Sequence, residues 1–137
     1  MTYFLAKSEP ATYSLDNLER EKRTTWDGVT NAQAVRAILQ MKAGDRVFVY
    51  HSGGVSAIVG WGKVVSAGVP DPKNPKSAVM GLEFGGRLDA PPTTLTEVKQ
   101  SGKFDDWALV RQSRLSTMAV PEVFVEWMRQ RYPKAGL

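Results

Sequence analysis

Cysteine is absent from this 137-residue chain, and histidine occurs once, at His51. Without cysteine there is no disulfide, no thiolate metal site and no thiol nucleophile, and a lone histidine excludes zinc motifs built on paired histidines. A reducing compartment is permitted, and the cytoplasm is the expected location. The apolar part of the N-terminus, Tyr3-Phe4-Leu5-Ala6, is too short for a signal peptide, and no run approaches a membrane span, so no membrane partner is expected. Also missing are the Gly-x-Ser-x-Gly elbow and the Gly-x-x-x-x-Gly-Lys phosphate loop. Gly60-Trp61-Gly62 lacks the third glycine of a dinucleotide fingerprint and sits inside a strand pattern. The adjacent acids Asp105 and Asp106 point in different directions on any regular element. No catalytic residue, cofactor or metal is therefore expected.

What remains is the composition of an ordinary globular domain, 42% hydrophobic and 23% charged, and residues 1–137 are expected to form one domain and a monomer. The formal charge of +4 and pI near 9.5 favour a polyanionic partner. Basic residues are scattered from Lys7 to Lys134 without a run of one sign, so a nucleic-acid site has to be assembled by folding.

Tyr3 to Ser8 reads as a strand stopped at Glu9-Pro10. Ser14 caps a short helix over 15–20, with Leu15 and Leu18 on one face. Thr30 and Gln33 have capping-box spacing for a second helix, whose stripe of Ala32, Val35, Ile38 and Leu39 runs to a glycine stop at Ala43-Gly44. Arg46–His51 and Ser56–Val65 are β-branched and aromatic, separated by Gly53-Gly54, and read as an antiparallel hairpin. Pro70–Pro75 reads as a loop. A further strand is expected over 78–88 with Gly85-Gly86 as a bulge or bend, then a short helix over 95–99 and a last helix opened by Pro121. Apolar residues on both faces of the strands suit a closed or nearly closed barrel with helices outside, an α+β fold.

Three segments in order, Phe4-Leu5-Ala6-Lys7-Ser8-Glu9-Pro10, Trp26-Asp27-Gly28-Val29-Thr30-Asn31-Ala32-Gln33-Ala34 and Gly44-Asp45-Arg46-Val47-Phe48-Val49-Tyr50-His51-Ser52, resemble the EVE-domain family. Ile58-Val59-Gly60, Pro70-Asp71-Pro72 and Arg114-Leu115-Ser116 extend the resemblance over nearly the whole chain. It implies a PUA-like β pseudobarrel with surrounding short helices, related to the YTH and ASCH domains. Members of that group are described as binding RNA or DNA, in several cases through modified bases.

The residue chemistry is compatible with that implication. A base taken out of its stack needs an aromatic plane, polar groups for its edge and cations for flanking phosphates. Trp26 is the stacking candidate, against the alternative of a core tryptophan; Asp27, Gly28 and Val29 follow it in the motif. Trp61, Trp107 and Trp127 are assigned to the core. Ser8 either reads a base edge or forms a turn. Asn31, in the first turn of the second helix, either meets a ligand or caps its own helix. Tyr50, His51 and Ser52 are candidates from the matching strand end, although Tyr50 and His51 must face opposite ways. Lys7 and Arg114 are candidates for the nucleic-acid backbone, Ser116 belongs to the Arg-Leu-Ser match, and Pro70 is a candidate wall of the site. The favoured partner is nucleic acid, DNA or RNA, with a flipped or modified base. Two alternatives stay open: an ASCH-like hydrolase of a modified nucleoside using Lys7, Glu9 and Tyr50, and a protein-interaction module.

Overall fold

The computed structural model describes residues 1–89 and 91–137. Seven strands and five short helices follow one another as β1 (Tyr3–Ser8), α1 (Leu15–Glu21), β2 (Arg23–Trp26), α2 (Ala32–Leu39), β3 (Arg46–His51), β4 (Ala57–Asp71), β5 (Asn74–Arg87), β6 (Thr93–Thr94), α3 (Leu95–Gln100), α4 (Ala108–Arg111), β7 (Thr117–Ala119) and α5 (Glu122–Arg131). The class is α+β. All strands join one mixed sheet in the order β2-β5-β4-β3-β1-β7, with β6 added to β4. The path ends at β2 on one side and β7 on the other, so of the closed or nearly closed barrel expected, the sheet is the form that stops short of closing. Helix α2 packs against β5, β4 and β7 and so spans the opening between the two ends.

Strand alternation divides the apolar residues between two clusters. Tyr3 and Leu5 of β1 and Phe48 and Tyr50 of β3 pack with Val98, Phe104, Trp107, Phe124 and Met128 from the C-terminal helical region. Phe4 and Ala6, with Val47 and Val49, turn the other way and pack with Leu15 and Leu18 of α1, Ile38 of α2 and Met80 and Leu82 of β5. A period of two in β1 and β3 thus fills both sides of the sheet. Helix α2 touches both clusters, through Ala34 in one and Ile38 in the other.

The long β4–β5 hairpin bends where its register slips, at four places along β4. One slip leaves Gly85 without a partner between the pairs Trp61↔Gly86 and Gly62↔Phe84, the bulge expected from Gly85-Gly86. The loop expected over Pro70–Pro75 is instead mostly strand: Pro70 pairs with Ala78 and Asp71 with Asn74, leaving only residues 72 and 73 as the tip. Pro70 is tolerated because β3 pairs β4 only as far as Lys63, so this end of β4 has no ladder partner on its other side. Helix α2 also departs from expectation. Its cap is Asn31, whose side chain accepts from the Gln33 and Ala34 amides, and it ends at Leu39 rather than near Gly44. Gly44, at φ 98°, serves the turn into β3. The early stop has a partner in Gly68, where β4 crosses the helix C-terminus and the Gly68 amide donates to the Met41 carbonyl at 3.0 Å.

Helix α1 is held at its start by two devices. Ser14 and Asn17 form a capping box, and the Leu15 amide donates to His51 Nε2 at 3.0 Å. That second bond needs an unprotonated ring nitrogen, and a positive ring at a helix N-terminus would oppose the helix dipole. Burial pushes the His51 pKa below its ordinary value; Asp16 opposes the shift and Arg87 adds to it.

Two stability predictions follow from these contacts. A methyl group at Gly68 would lie 1.7 Å from the Ile38 carbonyl oxygen, so Gly68→Ala should lower unfolding free energy by about 1–3 kcal/mol, read by denaturant titration. Because the folded His51 pKa is depressed, its contribution is complete above the unfolded value of about 6.5 and is lost as pH falls through the folded value. The denaturation midpoint should therefore fall between about pH 7.5 and pH 5, and His51→Gln, which keeps an acceptor that cannot protonate there, should flatten the dependence.

Candidate functional site

A cleft of about 600 Å³ opens at the C-terminal end of β1. Its walls come from four pieces of chain: Lys7 and Ser8 ending β1, Thr12 and Tyr13 in the turn before α1, the continuous run Thr24–Asn31 from β2 into the cap of α2, and Ser116 just before β7. It thus meets residues beside both ends of the sheet path, at the gap where the ladder does not close.

Local hydrogen bonds fix each wall. Ser8 Oγ donates to the Tyr13 carbonyl at 2.5 Å, and the Ser52 amide donates to the Ser8 carbonyl at 2.9 Å. These bonds tie the β1 end to the turn and to β3. Ser77 Oγ donates to the Val29 carbonyl, anchoring the β2–α2 loop on β5. Asn31 Oδ1 accepts from two helix amides at 3.0 and 3.1 Å, which commits that oxygen to the cap and leaves the Asn31 NH₂ for other partners. Gly28, at φ 80°, allows the sharp turn between Trp26 and the helix.

Trp26 combines its two readings. Only 8% exposed, it belongs to the cluster around Leu15, Leu18 and Met80, and it also lines the cleft. Tyr13 stands edge-on to it, ring centroids 6.2 Å apart at 88°, and its hydroxyl donates to Glu21 at 2.8 Å. Lys7 Nζ lies 5.2 Å from the centre of the Tyr50 ring and donates to the Ser113 carbonyl at 3.1 Å. Burial lowers its pKa from the ordinary lysine value. The remaining polar lining is hydroxyl-rich, with Ser8, Thr12, Thr24, Thr25, Thr30 and Ser116, and Asp27 is exposed at the rim. The arrangement offers hydrogen-bond donors and acceptors, two aromatic surfaces and one cation, and no group of three or more potential metal ligands occurs among the described residues.

Of the residues expected from the sequence, Lys7, Ser8, Trp26, Asp27, Gly28, Val29, Asn31 and Ser116 converge on this cleft. Five do not line it. Tyr50 is buried beneath Lys7 in the opposite cluster, and burial raises its phenol pKa. His51 is turned toward α1, where its nitrogen is occupied by the Leu15 amide. Ser52 acts through its backbone on Ser8. Pro70 lies far along β4 near the hairpin tip. Arg114 is exposed between Ser113, which holds Lys7, and Ser116, beside the cleft rather than in it. The set expected for a hydrolase is also divided: Glu9 is exposed and outside the lining, while Lys7 and Tyr50 meet only as cation and ring. Thr12, Tyr13, Thr24, Thr25 and Thr30 were not identified from the sequence. Tyr13 carried a signal, an aromatic residue between the β1 end and the Ser14 cap; the threonines carried none.

No helix is long and apolar enough to cross a membrane among the described residues. Rat thymocyte nuclear protein 1 is 40% identical over 81 residues, which is 50% of this chain but only 36% of that protein's length. A Rhodopseudomonas palustris protein solved by NMR superposes with a TM-score of 0.87 at 31% identity, covering 96% of this chain and 92% of that one. The human THYN1 protein, crystallised in complex with DNA containing 5-methylcytosine, has a TM-score of 0.85 at 24% identity over 96% of this chain and 98% of that one, a likeness of fold. The EVE-domain model matches residues 2–131, and the chain belongs to the EVE-domain family.

Proposed function

We propose that this protein is a non-enzymatic nucleic-acid-binding module that receives one extruded or modified nucleobase in the cleft between β1, β2 and α2. The observation that carries the reading is the composition of the cleft. At about 600 Å³ it lies in the usual range for small-molecule sites, and it sets the rings of Trp26 and Tyr13 beside hydroxyls, the Asn31 amide and the Lys7 ammonium. A nucleobase is a planar heterocycle whose faces seek aromatic contact and whose edge carries donors and acceptors, the two surfaces this lining offers. The DNA complex of the human THYN1 protein supports a methylated cytosine in DNA as the first ligand to test.

Specificity follows from the same chemistry. A buried site that hydrogen-bonds a base edge rejects a base whose edge leaves its own groups unpaired. A methyl group on the base gains most where it meets apolar wall, and Val29 and the Trp26 ring supply that wall here. Binding should also weaken with salt, since the strand brings phosphates toward a basic protein.

Tryptophan fluorescence titration with short oligonucleotides carrying cytosine or 5-methylcytosine checks the reading. The parent should bind the methylated strand more tightly, and Trp26→Phe, which keeps most of the core volume, should retain a cooperative unfolding transition while losing about three- to tenfold in affinity. Absence of binding to every strand would refute the assignment. Release of a free base or altered nucleoside during incubation would replace the binding module with an enzyme.

A further inference from the structure

Most arginines of this chain are occupied. Arg23, Arg87, Arg111, Arg129 and Arg131 are in ion pairs with carboxylates, and Arg46 packs over the Trp61 ring and donates to the Gly136 carbonyl. Of the described arginines, only Arg20, Arg36 and Arg114 have no side-chain hydrogen bond or ion pair. Two of these three lie on one side of the cleft. Arg114 stands between Ser113 and Ser116, and Arg36 projects from α2 into a second groove of about 420 Å³ between α2 and β7.

That groove is bordered by the same two elements as the cleft. Asn31 lines the cleft and Gln33, in the first turn of α2, lines the groove; Ser116 lines the cleft and Thr117 the groove. The N-terminal turn of α2 and the start of β7 thus contribute neighbouring residues to both spaces. The groove is lined by the amides of Gln33 and Gln40 and by apolar residues of β7 and α4, and Arg36 is its single charged residue. No carboxylate is present to neutralise that guanidinium.

We propose that the groove between α2 and β7 is a second subsite, taking the sugar–phosphate backbone of the nucleotide next to the one in the cleft, with Arg36 on its phosphate and Arg114 on the ridge between the two spaces. The inference rests on the cleft being a nucleobase site. An extruded base cannot enter a cleft without bringing its backbone across the rim, and beside this rim stand two arginines with no carboxylate partner. A planar, permanently charged guanidinium suits a phosphate by bidentate hydrogen bonding, and the neighbouring amides add donors. The contact carries no sequence information and sets the register of the strand, so it should act equally on methylated and unmethylated DNA.

The test is the salt dependence of binding, measured with a single-stranded oligonucleotide containing one 5-methylcytosine, for the parent, Arg36→Ala, Arg36→Lys and Lys99→Ala. Lys99 lies on α3, away from both spaces, and controls for loss of one surface charge. Arg36→Ala should make the slope of log affinity against log salt shallower by about 0.7 and weaken binding about three- to tenfold at low salt, with the preference for the methylated strand unchanged. Arg36→Lys should keep most of the slope, and Lys99→Ala all of it. The free nucleoside 5-methyl-2′-deoxycytidine, which has no phosphate, should bind parent and Arg36→Ala alike. If the parent prefers the methylated strand but Arg36→Ala keeps its slope, or Lys99→Ala loses as much, the groove is not a backbone subsite and the cleft reading stands. If the parent binds no oligonucleotide, both fall together.

Discussion

The structure depends on one pairing, β1 beside β3 in parallel. Their six residue pairs, from Tyr3↔Arg46 to Ser8↔His51, require the chain to leave the end of β1 and return to the start of β3 before the ladder can form. Parallel neighbours cannot be joined by a tight turn, so the connection must be long. Here it is residues 9–45, and it holds α1, β2 and α2. All cleft residues except Ser116 belong either to the last two positions of β1 or to this crossover. The site is therefore a product of the crossover, laid over the strand end it departed from. Between β5 and β7 the sheet is bridged by α2 rather than by a further ladder.

A crossover carrying a site must be held without a continuous ladder. The bonds that hold it run from side chains or loop amides to backbone carbonyls: Ser8 to Tyr13, Ser52 to Ser8, Ser77 to Val29, Lys7 to Ser113. Each satisfies a carbonyl that the loop would otherwise leave unpaired, and each contributes about 1 kcal/mol. Their larger effect is positional. A cleft whose walls are fixed before a ligand arrives loses less entropy on binding than one that must be ordered. Two of the donors, Ser52 and Ser77, lie on the sheet side of the cleft rather than in its lining, and they act through the residues they hold.

How much of this was legible in the sequence depended on the range over which the signal acts. Gly53 and Gly54, both at positive φ, mark the β3–β4 turn as read, the Ser14 cap begins α1, and the Gly85 bulge follows from the glycine pair. These are local features with local causes. Strand β2 was missed because it is only four residues long and has just one buried position, Trp26, so no period of two can be seen. Strand β7 has three residues and exists because β1 offers it an edge. Prolines 70 and 75 were read as breakers, and only the sheet topology shows that Pro70 has no ladder to interrupt on its far side. The site divides in the same way. Its backbone, Lys7-Ser8 and Trp26 to Asn31, was legible as motif, while Tyr13 and the threonines enter through the path of the crossover, which no local pattern encodes. His51 illustrates the converse: a strand-end histidine reads as a site residue until α1 is seen to start against it.

Charge shows why totals are a weak guide to such a surface. The net charge of +4 is small, yet its distribution is uneven once pairing is considered. Seven ion-pair contacts, at Arg23, Arg87, Arg111, Arg129 and Arg131, cancel charge locally among residues that do not line the cleft. Exposed pairs of this kind contribute little to stability, about 0–1 kcal/mol each, but they remove the field that a ligand would feel beyond a Debye length of about 8–10 Å. Lys7 is arranged differently. Its ammonium is met by the Ser113 carbonyl and the Tyr50 ring, two neutral groups that orient a cation without cancelling it, and the cleft's acid, Asp27, makes no ion pair with it. A half-desolvated, uncancelled charge in a cleft attracts an electron-rich ligand more strongly than the same charge on an open surface, because less water stands between them. Desolvation also sets the limit on this device, since the burial that strengthens the attraction lowers the lysine pKa.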